Sequence, residues 1–174
     1  MKMRIAAALT ALALTGLAVI GGVATAQVSG QGGPVQVGSD SQRIDQQANA
    51  MYLDGRVEIL QDKARLRTDH ATITYAEAGG DINRIEATGN IYYVTVDAQG
   101  QQTIMKGDNA VYTKADDTMV VTGNVILQQG QNISTGNRLV SQVSKGITTF
   151  TANPGGQTKG RVRSVLYPSN KPAQ

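Results

Sequence analysis

The chain has 174 residues, no cysteine, no tryptophan and one histidine, with a formal charge of +3 at pH 7. Without cysteine there is no disulfide, no thiolate metal site and no thiol nucleophile. The length suffices for one domain with a real core.

Met1-Lys2-Met3-Arg4 is a short basic start, followed by an apolar run from Ile5 to Val23 and by Ala24-Thr25-Ala26. That pattern predicts a secretory signal peptide over residues 1–26, cut after Ala26. The alternative is an uncleaved membrane anchor, because the run is nearly long enough to span a bilayer. Either way the remainder is exported, and a cysteine-free exported chain suits a bacterial periplasm. Removing the leader takes Lys2 and Arg4, which leaves 14 basic against 13 acidic groups, a net of +1. The high isoelectric point then gives no argument for a nucleic-acid partner. Residues 27–150 carry 10 basic and 13 acidic groups, whereas residues 151–174 carry Lys159, Arg161, Arg163 and Lys171 with no acid. The basic end is either a solvated tail or a surface that meets anionic groups.

Residues 27–41, rich in Gly, Ser and Gln, predict a flexible lead-in, and residues 168–174 predict a loose tail. Residues 42–167 between them read as one all-β domain. Apolar residues alternate with period two: Val57 and Ile59; Ala71, Ile73 and Tyr75; Ile85 and Ala87; Ile91 and Tyr93; Val125 and Leu127. Turn signals interrupt the runs at Gly79-Gly80-Asp81, Asp97–Gly100, Asp116-Asp117, Gly130-Gln131-Asn132 and Asn153–Gly156. Many short antiparallel strands follow from this punctuation.

The strands repeat. Gly55 to Gly89 is 34 residues, and Gly89 to Gly123 is again 34. Such a period also occurs in stacked helical repeats, but the period-two alternation excludes helices here. After each glycine comes a second element: Thr68-Asp69-His70-Ala71, Gly107-Asp108-Asn109-Ala110 and Gly136-Asn137-Arg138-Leu139. Repeated strand units of this kind stack into one continuous apolar interior. Residues two removed from each glycine are mostly apolar, so Gly55, Gly89 and Gly123 are expected to face inward as corners where a sheet folds over.

The sequence offers no catalytic constellation. His70 stands beside Asp69 without a convincing partner set, and Asp116-Asp117 sits in a turn. Serine elbows, phosphate-binding loops and zinc patterns are absent. An enzyme is not expected, and neither a cofactor nor a metal is called for.

Three stretches, Met105–Asn124 ("MKGDNAVYTKADDTMVVTGN"), Thr122–Val140 ("TGNVILQQGQNISTGNRLV") and Arg161–Asn170 ("RVRSVLYPSN"), resemble the OstA/LptA family of lipopolysaccharide-transport proteins. A weaker first unit at Leu53–Tyr75 has Asp54-Gly55-Arg56 where the family usually shows Thr-Gly-Asn. The resemblance implies a slightly open β-jelly-roll in the periplasm whose interior shields lipid A acyl chains. It also implies partners: lipopolysaccharide, an LptC-type inner-membrane component, the N-terminal domain of an LptD-type outer-membrane translocon, and head-to-tail copies of the chain itself.

Exposing an acyl chain to water costs about 0.8 kcal/mol per CH₂, on the order of 10 kcal/mol for a 14-carbon chain. An aliphatic trough removes most of that cost without a deep trap. Its expected lining is Val57, Ile59, Ile73, Ile91, Tyr93, Val121, Val125, Leu127 and Leu139, which sequence alone does not separate from ordinary core. Free sheet edges for partners are expected near Gln42–Asn49 and Gly160–Tyr167, the latter flanked by Arg161 and Arg163. Two other readings stay open: a membrane-anchored LptC-type component of the same system, and a structural β-repeat surface protein that binds no lipid.

Overall fold

The computed structural model describes residues 33–76, 80–152 and 160–167. The leader expected over 1–26, the tail at 168–174 and the turn at Asn153–Gly156 lie outside the described residues. Among the described residues the alternating sequence builds ten antiparallel strands: β1 (Gln36–Gly38), β2 (Ser41–Asp45), β3 (Ala50–Gln61), β4 (Ala64–Tyr75), β5 (Ile82–Val96), β6 (Gln102–Thr113), β7 (Thr118–Gln129), β8 (Asn132–Gln142), β9 (Ile147–Thr151) and β10 (Arg163–Val165). The strands from β3 to β8 pair in chain order, joined by hairpins. At one end β1 and β2 both pair with β3, and at the other β9 and β10 both pair with β8. The sheet does not close on itself. Among the described residues the helical content is a single 3₁₀ turn, Val143–Lys145, and no helix is long and apolar enough to cross a membrane.

Each long strand is interrupted near its middle. Register shifts fall between Asp54 and Val57, Arg67 and His70, Thr88 and Ile91, Lys106 and Asn109, and Thr122 and Val125. Because they line up across neighbouring strands, they form one crease running along the sheet. A bulge bends its strand and increases local twist, so a row of them folds the sheet into two arms. One arm holds β1, the second half of β3 and β10; the other holds β2, the first half of β3 and β9. The arms face each other. Along one arm Ile59 pairs with Leu66, yet it packs in a cluster with Ile85 and Tyr112 of the opposite arm. A second cluster, centred on Val121, Val125 and Leu139, continues the interior toward the β8 end.

The lead-in differs from expectation. Residues 36–38, expected to be flexible, form β1. Its backbone pairs with Leu60, Ile59 and Glu58, and Val35 and Val37 pack against the first cluster. The polar, glycine-rich composition hid two valines whose period-two spacing matches the strand they join. The outer edge strands are also shorter than expected, ending at Asp45 and confined to Arg163–Val165.

The crease carries a repeated device. Gly55, Gly89 and Gly123 have φ of 74°, 85° and 76°, and the residues after them, Arg56, Asn90 and Asn124, also have positive φ. Two successive left-handed residues are tolerated when the first is glycine and the second is asparagine. Arginine in the first unit lacks that tolerance, and there Arg56 is held by two hydrogen bonds to Asp40. In the other units Asn90 donates to Asp69 at 2.7 Å and Asn124 to Asp108 at 2.9 Å. These glycines do not face the interior. A Cβ on Gly123 would lie 2.7 Å from Cγ of Asp108, and Cβ atoms on Gly55 and Gly89 would meet Asp40 and Asp69 in the same way. The bulge places two residues where a regular strand has one, so counting by twos through it assigns the wrong face. The inward role belongs to the other glycines of the repeat. A Cβ on Gly107 would collide with the Val121 side chain, and one on Gly136 would lie 3.1 Å from the Phe150 ring.

Candidate functional site: an apolar cavity between the arms

The space between the arms is not completely filled. A cavity of about 440 Å³ is floored by Ile59, Leu66 and Ile91 of one arm and by Ile85, Ala110 and Val121 of the other. Tyr93, Tyr112 and Met119 form its walls. At the rim stand Asp62, Lys63, Thr95 and Val96 from the hairpin ends of one arm, and Asp117 and Val143 from the other. The opening therefore lies opposite the crease, where the tips of the two arms stand apart. For scale, a dry apolar cavity of about 150 Å³ accommodates one benzene ring. The present volume thus corresponds to about three such rings, or roughly 18 carbons, on the order of one acyl chain.

Polar groups near the cavity are satisfied from the protein side. The Tyr112 hydroxyl donates to Asp117 at 2.9 Å, and the other carboxylate oxygen of Asp117 accepts the Ser144 N–H at 2.7 Å. Burial and the adjacent Asp117 carboxylate push the Tyr112 phenol well above the usual tyrosine range, which keeps it neutral. Burial also raises Tyr93. Among the described residues no buried side-chain polar atom lacks a partner, and no group of acidic and histidine residues could hold a metal ion. The wall thus presents hydrocarbon with few places for a polar ligand to anchor.

The residues expected to line a trough fall into two sets. Ile59, Ile91, Tyr93 and Val121 border the cavity. Val57, Ile73, Val125, Leu127 and Leu139 are buried in the two clusters and do not border it. Ile85, read from the alternation but not named as lining, also borders it, as do Leu66, Tyr112 and Met119, which were not singled out from the sequence. The same alternation would have reached them: Leu66 lies between Ala64 and Thr68, Tyr112 follows Ala110, and Met119 precedes Val121. Arg161 and Arg163 are exposed, with Arg163 on β10 opposite Thr135 of β8.

Among the described residues both ends of the sheet are unpaired. At one, β1 and β2 have no neighbour beyond β3; at the other, β9 and β10 have none beyond β8. The exposed apolar residues Ile44, Ile147, Val165 and Leu166 lie on or beside these end strands.

Comparison with known proteins joins this geometry to a family. The chain is 27% identical over 140 residues to the lipopolysaccharide export system protein LptA of Escherichia coli (strain K12), covering 78% of this chain and 72% of the relative. The same identity and coverage hold for the protein of that description from Shigella flexneri. In three dimensions it is similar to the crystal structure of LptH, the LptA-homologous periplasmic component of lipopolysaccharide transport from Pseudomonas aeruginosa. That match has a TM-score of 0.68 at 19% identity, and it covers 78% of this chain and 96% of the other. Residues 36–147 match the family model described as LptA/(LptD N-terminal domain) LPS transport protein, and the chain belongs to that family.

Proposed function

We propose that the protein carries lipopolysaccharide across the periplasm from the inner to the outer membrane, holding acyl chains of lipid A between its two arms. The observation that carries this reading is the apolar cavity, open along the side opposite the crease. A cavity of this kind offsets the cost of exposing hydrocarbon to water, about 0.8 kcal/mol per CH₂. It holds the chains without a specific polar anchor, and a lateral opening lets the sugar portion stay in water. No chemical step belongs to this role.

Export is supported by the basic, apolar and Ala-Thr-Ala succession at residues 1–26, with cleavage after Ala26. Bridging is supported by the two free ends of the sheet, which differ from each other. Unlike edges that pair head to tail generate an open array rather than a closed dimer. Through such edges the protein joins further copies of itself, an LptC-type component at one membrane and the N-terminal domain of an LptD-type translocon at the other. Arg161 and Arg163 flank the second edge and steer that docking.

A photocrosslinking residue at Met119 or Tyr93, inside the cavity, is expected to trap lipopolysaccharide in intact cells. One at Ile126, outside, is expected to trap none. Labelling at Ile126 alone would contradict the reading and favour a structural β-repeat protein. The apolar leader also fits a membrane-anchored LptC-type component. N-terminal sequencing of the protein from cells separates the two, since the soluble carrier starts at Gln27.

A further inference from the structure

The outer face of the arm that carries β10 bears chemistry the cavity does not use. Alternation along β3 to β6 turns Glu58, Arg65, Arg67, Tyr92, Val94 and Lys106 away from the interior. Register places Glu58, Arg67, Tyr92 and Lys106 side by side on four successive strands, and Arg65 beside Val94. Here the surface sinks into an open basin of about 710 Å³, lined by Arg56, Arg65, Arg67, Asn90, Tyr92 and Gln102 among others.

The basin is positive in a part of the chain that is otherwise acidic, since residues 27–150 carry a net charge of −3. One oxygen of Glu58 faces both Arg67, at 3.0 Å, and Arg65, at 3.3 Å. A single carboxylate shared by two guanidinium groups leaves one positive charge and several N–H donors uncommitted. Lys106 is not one of the lining residues but pairs with Tyr92 from the next strand, and it brings another positive charge beside the basin, its Nζ 5.6 Å from the centre of the Tyr92 ring. The described ion pairs do not include Lys106. Asp69, at the crease end, is engaged by Asn90, and Arg56 is engaged by Asp40.

We propose that this basin binds a phosphorylated saccharide, and that it takes the sugar-phosphate portion of the same amphiphile whose acyl chains enter the cavity. Arginine forks match phosphate oxygens in pairs. The half-buried Tyr92 ring offers a flat apolar platform for the C–H face of a sugar, and the Gln102 amide serves hydroxyl groups. The basin and the cavity are the two sides of the same strands. Lys63 stands on the cavity rim, and Arg65 lies two residues along β4, about 7 Å away at the rise of a strand. A headgroup leaving the lateral opening meets Arg65 as soon as it turns over the tip of the β3–β4 hairpin. The second half of this inference rests on the proposed carrier role, whereas saccharide binding itself does not.

The test uses the full exported chain, two probes and one variant. The probes are a fluorescent fatty acid, which reports the cavity, and a deacylated, phosphorylated oligosaccharide from lipopolysaccharide, which reports the basin. The variant combines Arg65→Gln, Arg67→Gln and Lys106→Gln, all on the outer face. It is expected to take up the fatty acid as the wild type does. It should lose at least about tenfold in oligosaccharide affinity, the equivalent of about 1.4 kcal/mol, together with most of the salt dependence. An unchanged oligosaccharide affinity overturns the proposal. So does equal wild-type binding of the same sugars after phosphatase treatment. Failure of the fatty acid to bind while the oligosaccharide binds normally removes the carrier reading and leaves the basin standing. Intact lipopolysaccharide should bind the wild type more tightly than either part alone, because the second contact is intramolecular. Loss of that advantage in the variant supports one molecule spanning both sites. Its persistence overturns the link and assigns the basin to a free saccharide.

Discussion

Replacing Gly123 by alanine perturbs the crease at one atom. With φ at 76° the added Cβ meets the left-handed penalty, about 1–2 kcal/mol for an L residue. It also stands 2.7 Å from Cγ and 2.8 Å from Cβ of Asp108. Because the obstacle includes the root of the aspartate side chain, a rotation of the carboxylate alone does not clear it. Asp108 must move and give up its hydrogen bond to Asn124, a further loss of about 1 kcal/mol. The expected destabilisation is about 2–3 kcal/mol, or roughly 5–10 °C in Tm for a chain of this size. Urea and thermal unfolding followed by circular dichroism measure it. Asp108→Ala alone is expected to cost about 1 kcal/mol. In the double variant the contact with Cγ is gone, although the Cβ of residue 108 remains, and the hydrogen bond to Asn124 is lost once rather than twice, so it should be more stable than the sum of the single losses by about 1 kcal/mol. Additivity within about 0.3 kcal/mol would refute the claim that glycine is needed at this position to admit the aspartate.

Two further substitutions follow from the cavity. Leu139 is fully buried in the second cluster, so Leu139→Ala should cost about 3 kcal/mol in urea unfolding. Met119→Ala should cost less than half of that, because the Met119 side chain already borders an open space; equal losses would mean that the cavity is closed in solution. Tyr112 holds its proton more tightly when folded than when unfolded, so its contribution is fully present below about pH 10, the ordinary tyrosine value, and is lost as pH rises above it. Stability should therefore fall at alkaline pH. Tyr112→Phe should flatten that fall while costing about 1 kcal/mol at neutral pH through the hydrogen bond to Asp117. An identical alkaline decline in the variant would assign the effect to other groups.

Much of the architecture could be read in the chain. Period-two alternation at Ile73, Ile85, Ile91 and Leu127 and the turn signals at Asp97–Gly100 and Gly130-Gln131 reappear as buried strand positions and hairpins. The equal spacing of Gly55, Gly89 and Gly123 marked a feature shared by successive units, because a repeated strand pair needs its bend at the same place each time. The direction of those glycines was not readable, since a bulge breaks the count on which facing is judged. The partner of each was hidden for a different reason. Asp69 and Asp108 belong to the preceding strand and Asp40 to the bend between β1 and β2, and contact across strands is long-range information.

What the sequence determined by itself was an all-β chain of repeated units with an oily interior, because alternation and turn chemistry are local. The tertiary structure decided that the sheet stays open, that Leu139 and Val125 are sealed core while Met119 and Tyr93 border a cavity, and that Arg65, Arg67, Tyr92 and Lys106 share one outer face. Those outcomes depend on how far two arms approach each other and on which strands lie side by side, and neither quantity is encoded in the spacing along one strand.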